Sequence, residues 1–136
     1  MTFEVTTYSR YDREDVINLL NASKNVQRHL DWRQPHAWLD DPGMTIRLAR
    51  AGGRVVGCLA AAPPHNGASW LRLIAVADDQ SVPLMLDAMW PQVRLALAGC
   101  DVKQVGVLAV RRWGVPHLPA LGLRQVNQVI TMRRTS

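Results

Sequence analysis

The chain has 136 residues and is 48% hydrophobic, which suits one domain whose core needs neither disulfides nor a metal. Its longest apolar run, Val55 to Pro64, is shorter than the ~20 residues that cross a bilayer, so no membrane span is expected. The formal charge of +5 favours anionic partners: nucleic acid, phosphates or anionic lipids.

The basic residues are spread along the chain. Lys24 and Lys103 are the two lysines among 16 basic residues, so 14 are arginine, with adjacent pairs at 111–112 and 133–134. No basic run alternates with aromatic residues, as a groove for single-stranded nucleic acid would require. Nucleic acid is therefore not the expected partner, whereas a phosphorylated small ligand would use the same charge.

The two cysteines indicate a reducing compartment. Cys58 and Cys100 lie in apolar segments, without a CxxC spacing or a histidine partner pattern. This favours buried thiols over a disulfide framework or a zinc site. The N-terminus shows no basic region followed by an apolar stretch, so no secretory signal is expected. We therefore expect a cytoplasmic protein without a metal.

The N-terminal segment predicts a strand followed by a helix. Thr2 to Tyr8 alternates β-branched and aromatic residues, which is typical of a strand. Asp12 fits a helix N-cap. The helix behind it has an apolar stripe at i, i+3 and i+4, formed by Val16, Leu19 and Leu20.

The next segment is less regular. Asn21 to Trp32 is expected to include a second short helix, and Pro35 fits the first position of another. Asp40 to Gly43 is a turn by composition. A hairpin follows, because Gly52-Gly53 separates two strand-like runs and can supply the positive φ angles of a tight turn. Its second strand, Arg54 to Ala62, is expected to be buried on both faces.

The C-terminal half continues with strands and helices. Trp70 to Val76 is predicted to be a strand, and Ser81 to cap a helix that ends at Gly99 with a kink or break at Pro91. The remaining elements are a strand, a short helix and a last strand, at Val102–Val110, Pro116–Gly122 and Arg124–Met132.

This order of elements resembles the GNAT superfamily of N-acetyltransferases over essentially the whole chain. Three motifs carry the resemblance. The hairpin Ile46–Cys58 is similar to the family's "a…dG.ivG" stretch, and Trp70–Val76 ends in the "l.V" before its cofactor loop. The segment Leu121–Arg133 is similar to the "lGF…..M.k" finish. The resemblance implies an α+β fold over residues 1–136, with a mixed, mostly antiparallel central sheet flanked by helices in α/β/α layers.

The resemblance also implies acetyl-CoA as cofactor and a site at the end of the Trp70–Val76 strand. In the family, the central strand splays from its neighbour, and its exposed backbone pairs with the pantetheine arm. The implied contacts for that arm are Leu73, Ile74, Ala75 and Val76. Those implied for the pyrophosphate, at the loop and helix start, are Gln80, Ser81 and Val82. Trp32 and Trp38 lie where family members often line the acceptor pocket.

Two features of the family pattern are missing. The loop at Asp78–Leu86 contains no glycine, whereas family loops use glycines to bring backbone N–H groups to the pyrophosphate. Asp78 and Asp79 would also repel a pyrophosphate unless they pointed away. Leu118 stands where many members carry a tyrosine that acts as the general acid. The neighbouring His117 is therefore the candidate catalytic residue.

Three functions remain open on these residues. The leading hypothesis is an N-acyltransferase that moves an acetyl group from acetyl-CoA to an unidentified amine. The alternative is a catalytically silent GNAT-like module that binds a partner or forms a homodimer, which the missing glycines and tyrosine favour. A basic nucleic-acid-binding domain is the third.

Overall fold

The computed structural model describes residues 3–28 and 35–107. In chain order, the strands are β1 (Glu4–Thr7), β2 (Asn25–Arg28), β3 (Thr45–Ala51), β4 (Arg54–Ala61), β5 (Ala68–Val76) and β6 (Gln104–Val107). The α-helices are α1 (Arg13–Ala22), α2 (Pro35–Trp38) and α3 (Val82–Ala98), and a single 3-10 turn at Arg10–Asp12 leads into α1.

The described strands form one sheet in the order β1-β3-β4-β5-β2, with β6 also paired to β5. The β5–β6 pair is parallel, and every other pair is antiparallel. This confirms the predicted mixed, mostly antiparallel sheet.

The helices cover both faces of the sheet. Strand β4 is buried from Val55 to Ala61, so its alternating side chains meet protein on either side, as predicted. Helix α3 packs on β3, β4 and β5, and α1 packs on β4 and β5. The predicted α1 stripe is buried, with Val16, Leu19 and Leu20 at most 6% exposed. The resulting core lies between each helix layer and the centre of the sheet.

The β3–β4 hairpin forms where predicted. Gly52 and Gly53 have φ angles of +59° and +81°, which are strained for residues with a side chain. The two glycines therefore let the strands reverse in two residues, which fixes the register of β4 in the centre of the sheet.

The expected second helix within Asn21–Trp32 is wrong for the described residues. Helix α1 continues to Ala22, and Asn25–Arg28 is strand β2 instead. The physical reason is tertiary, because β2 pairs with β5 and its Val26 is only 6% exposed. Pairing with an available sheet edge overrides local preference in so short a segment.

Two smaller expectations also need correction. Cys58 is buried as predicted, but Cys100 is exposed, because it lies beyond the end of α3. Of the kink or break predicted at Pro91, the break is wrong, because α3 runs without interruption from Val82 to Ala98, and the kink stays a prediction. Pro91 has no N–H to donate to the carbonyl of Asp87, four residues earlier. Because Asp87 is exposed, water can donate to that carbonyl instead, while the apolar face of the helix stays packed.

The predicted elements from Pro116 onwards lie outside the described residues. Among the helices that are described, none has both the length and the apolarity to cross a bilayer.

Candidate functional site

Strand β5 changes direction in its middle. Its partners on β4 run in register from Gly57↔Val76 to Ala60↔Leu73, but the next pair is Ala61↔Leu71. Arg72 is therefore one extra residue on β5, which makes a β-bulge. A bulge bends its strand and increases the local twist. The far edge of β5, which faces away from β4, is therefore oriented differently before and after Arg72.

That far edge of β5 has two different partners. Before the bulge, residues 68–71 pair in parallel with residues 104–107 of β6. After the bulge, Leu73–Val76 pairs antiparallel with β2, from Arg28↔Leu73 to Asn25↔Val76. Since one strand edge holds one neighbour at a time, β2 takes the place of β6 as the neighbour of β5 after Arg72. This change of neighbour falls on the strand where the resemblance implies a splay.

The loop after β5 is held firmly at both ends. The N–H of Ala77 donates to the Val56 carbonyl at 2.8 Å, and the N–H of Gln80 donates to the Ala77 carbonyl at 3.0 Å. Ser81 caps α3 as predicted, its Oγ accepting from the N–H of Leu84 at 3.4 Å. Gln80, Ser81 and Val82 thus bring the chain from the edge of β5 into the first turn of a 17-residue helix.

The start of α3 offers few free N–H groups to an anion. Helix N-termini attract phosphate because their first N–H groups lack partners within the helix. Here Pro83 has no N–H, and the N–H of Leu84 is already used by Ser81. Val82 is left to offer its N–H in this turn, so the local attraction for pyrophosphate is weaker than in a glycine-rich loop.

Both aspartates of the loop have partners. Oδ1 of Asp78 accepts from the backbone N–H of Lys24 at 2.8 Å. Oδ2 of Asp79 pairs with Arg54 at 2.7 Å. The hydrogen bond from Arg54 is the main cause of the lowered pKa of Asp79. The two carboxylates are therefore directed toward β2 and the hairpin.

A cleft of about 480 Å³ lies between α1, the β3–β4 turn and this loop. Its charged lining side chains are Asp15, Arg54, Asp78 and Asp79. With three carboxylates and one guanidinium, this cleft is net acidic and does not suit a phosphate group.

Trp38 lies beneath the bulge. Its side chain is only 2% exposed, and the Arg72 guanidinium lies 4.8 Å from the centre of its ring. This stacking is a cation–π contact and ties α2 to the point where β5 bends. Trp38 is thus packed in the core beside the site, while Trp32 and His117 lie outside the described residues.

Two features that dominate this site, β2 and the Arg72 bulge, were not predicted from the sequence. With four residues and one apolar side chain, Val26, β2 carries no periodic signal of a strand. Within residues 3–28 and 35–107, no group of three or more His, Cys, Asp or Glu side chains could hold a metal ion.

Comparison with solved structures identifies the fold class. No protein-family model matches the chain, and no curated protein matches its sequence. Solved structures of acetyltransferases nevertheless align with it over nearly its whole length. The chain has the GNAT fold, as predicted.

Three individual structures illustrate the likeness, each 14% identical to this chain. AAC(6')-Iy, in complex with a bisubstrate analog containing CoA, has a TM-score of 0.72 with 100% of both chains covered. The aminoglycoside 6'-N-acetyltransferase AAC(6')-Ih from Acinetobacter baumannii has a TM-score of 0.71 with 99% of both covered. A ribosomal-protein-alanine N-acetyltransferase from Brucella melitensis has a TM-score of 0.71, covering 98% of this chain and 100% of its own. At this identity, the likeness establishes the fold.

Proposed function

We propose that this protein is an N-acyltransferase that moves an acetyl group from acetyl-CoA to an amine. The observation that carries the proposal is the edge of β5 at Leu73–Val76, which pairs with an extended chain directly after the segment of β5 that pairs in parallel with β6. The polypeptide then runs directly into the N-terminus of α3. An acyl donor that is an extended chain with a phosphate group at one end would fit both features. Its chain would lie along the edge of β5, and its phosphate would lie at the N-terminus of α3.

The residues present fit the arm of this donor better than its pyrophosphate. Pantetheine is an extended chain with two amides, so the backbone groups that pair with β2 are of the right chemistry to pair with it. At the helix start, Ser81 Oγ and the N–H of Val82 are the groups available. When bound, acetyl-CoA would supply an activated thioester carbonyl, and the protein would contribute chiefly by orienting it against the amine.

The amine acceptor would be a primary amine. Two of the structural neighbours are named for aminoglycoside acetylation and one for ribosomal-protein alanine acetylation. We retain Trp32 and Trp38 as candidates for the acceptor pocket, and His117 as the candidate for proton transfer. Use of acetyl-CoA would be consistent with a cytoplasmic location.

A catalytically silent module is the second candidate. It is favoured by one specific observation, since β2 occupies the β5 edge that a donor would need. The loop without glycine is consistent with it. In this case the fold would serve to bind a partner or a second copy of the chain.

The direct test is calorimetric titration with acetyl-CoA up to millimolar concentration, followed by assay of thiol release with a panel of primary amines. Saturable heat and amine-dependent release of CoA are expected. In the same assay, His117→Gln should lower kcat by about 10²-fold or more if His117 transfers a proton, with acetyl-CoA binding retained. Absence of both binding and turnover would leave the silent module as the function.

A further inference from the structure

We propose that strand β2 (Asn25–Arg28) is a displaceable latch that closes the acyl-donor edge of β5 and must leave it before acetyl-CoA binds. This inference rests on the proposed function. It concerns the regulation of the same site and follows from what β2 occupies, how short it is and how it is joined to the loop after β5.

The first observation is direct overlap. β2 pairs with Leu73, Ile74, Ala75 and Val76, and these four residues are the whole of β5 beyond the Arg72 bulge. Neighbouring strands lie ~4.8 Å apart, with their hydrogen bonds directed at one another. A second extended chain has no backbone groups left to pair with there, so β2 and a pantetheine arm are mutually exclusive.

The second observation is that β2 is a short segment. It has four residues and lies at the end of the sheet order, on the far side of β5 from β4. Two residues, Ser23 and Lys24, join it to α1. Among its described side chains, Val26 is buried, at 6% exposure. So short a strand, last in the order of the described sheet, can detach without unravelling β3, β4 or β5.

The third observation is a clasp formed by the donor loop itself. The carboxylate of Asp78, two residues beyond β5, accepts the N–H of Lys24, one residue before β2. The two residues are 54 positions apart in the chain. The clasp fixes the start of β2 to the loop expected to lie beside the pyrophosphate, so movement of the loop and release of β2 are coupled. The apparent affinity for acetyl-CoA is then the intrinsic affinity multiplied by the fraction of open molecules.

The decisive experiment compares Asp78→Ala with Asp78→Asn by acetyl-CoA calorimetry. Asparagine keeps an oxygen that can accept from Lys24 but removes the charge, whereas alanine removes both. Asp79→Asn removes a neighbouring charge whose partner is Arg54. Because each of the three variants removes one negative charge, a gain in acetyl-CoA affinity that all three share is electrostatic. The latch predicts a further tightening of about 3- to 10-fold in Asp78→Ala over Asp78→Asn, as expected for loss of one hydrogen bond. Equal Kd values for these two would overturn it.

A reversible lock gives an independent test. Asn25 and Val76 are direct partners, so Asn25→Cys with Val76→Cys, in a Cys100→Ser background, places two thiols within disulfide reach. The oxidised form should bind acetyl-CoA at least 10-fold more weakly than the same protein after reduction. The same Kd in both states would overturn the latch and leave the proposed acyltransferase standing. No binding by the reduced form or by Asp78→Ala would remove the proposed function and the latch together.

Hydrogen exchange on the free protein tests the clasp without any ligand. Asp78→Ala should increase exchange of β2 amides, Val26 among them, by about 3-fold or more, and Asp78→Asn should increase it less. Amides in the β3–β4 hairpin serve as the internal reference. Unchanged exchange in β2 would show that Asp78 does not hold it and would overturn the clasp.

Discussion

Gly106 on β6 lies directly against the indole ring of Trp70, its register partner on β5. A Cβ at position 106 would come within 2.8 Å of Cζ3 of Trp70. The glycine thus allows β6 to approach β5 just before the Arg72 bulge. This contact sets how closely the parallel pair can form on the N-terminal side of the proposed donor site.

Gly106→Ala should therefore destabilise the protein by about 1–3 kcal/mol, because the rigid ring cannot yield to a methyl group without moving β6. Urea unfolding measures this. Gly99→Ala is the matched control, since a Cβ there meets its nearest atom at 3.4 Å and the backbone is α-helical. Equal midpoints for the two variants would contradict the account.

The ion pair between Asp12 and Arg50 predicts a dependence of stability on pH. Arg50 on β3 donates to the carboxylate of Asp12, whose side chain is 16% exposed. Burial opposes ionisation, but the hydrogen bonds from the Ser9 N–H and from Arg50 keep the pKa of Asp12 below its ordinary value. The stabilisation by the pair is therefore fully present above the pKa of Asp12 in the unfolded chain, near 4. It is lost as the pH falls through the lower pKa of Asp12 in the folded protein.

Asp12→Asn should accordingly cost about 1–3 kcal/mol at pH 7, and the difference from wild type should shrink below about pH 4. Unfolding by urea between pH 7 and pH 3 measures the difference. Asp87→Asn, at an exposed position of α3, is the control and should track wild type across this range. A constant difference down to pH 3 would show that ionised Asp12 is not the stabilising species.

The two cysteines should react at very different rates. Cys58 is fully buried, and desolvation raises the pKa of its thiol to about 12, whereas Cys100 is exposed. Since the thiolate is the reactive form, Cys58 should be inert in the folded protein. Titration with a thiol-reactive dye should label one cysteine quickly and the second only on unfolding. In Cys100→Ser, rapid labelling should vanish; persistent labelling would mean that β4 opens readily.

Trp38 allows its packing role to be separated from a role in acceptor binding. Because its side chain is buried beneath Arg72, Trp38→Ala should cost about 3–5 kcal/mol, and Trp38→Phe distinctly less. Tyr11→Ala, at an 86% exposed position, should change stability by no more than about 0.5 kcal/mol. If Trp38 also lines the acceptor pocket, Trp38→Phe should raise KM for the amine without changing the Kd for acetyl-CoA. An unchanged KM would leave Trp38 as a core residue.

The sequence alone determined the elements whose signals are local. The α1 stripe of Val16, Leu19 and Leu20, the Gly52-Gly53 turn and the Ser81 cap each act within a few residues, and the structure reproduces all three. The run of apolar residues in β4 likewise marks a strand covered on both faces. Through the order of these elements, the sequence also indicated the fold, and it led to the proposal that the loop after β5 binds the donor.

Tertiary structure alone decided what fills the site. Asn25–Arg28 is too short to show a period, and it becomes a strand because the edge of β5 beyond Arg72 is open to pairing. The bulge itself exists only as a shift of register between two strands. The clasp joins Lys24 to Asp78 across 54 positions, a distance at which no sequence pattern constrains a backbone hydrogen bond. Local preferences thus place each element, whereas competition for one unpaired strand edge determines the state of the proposed site.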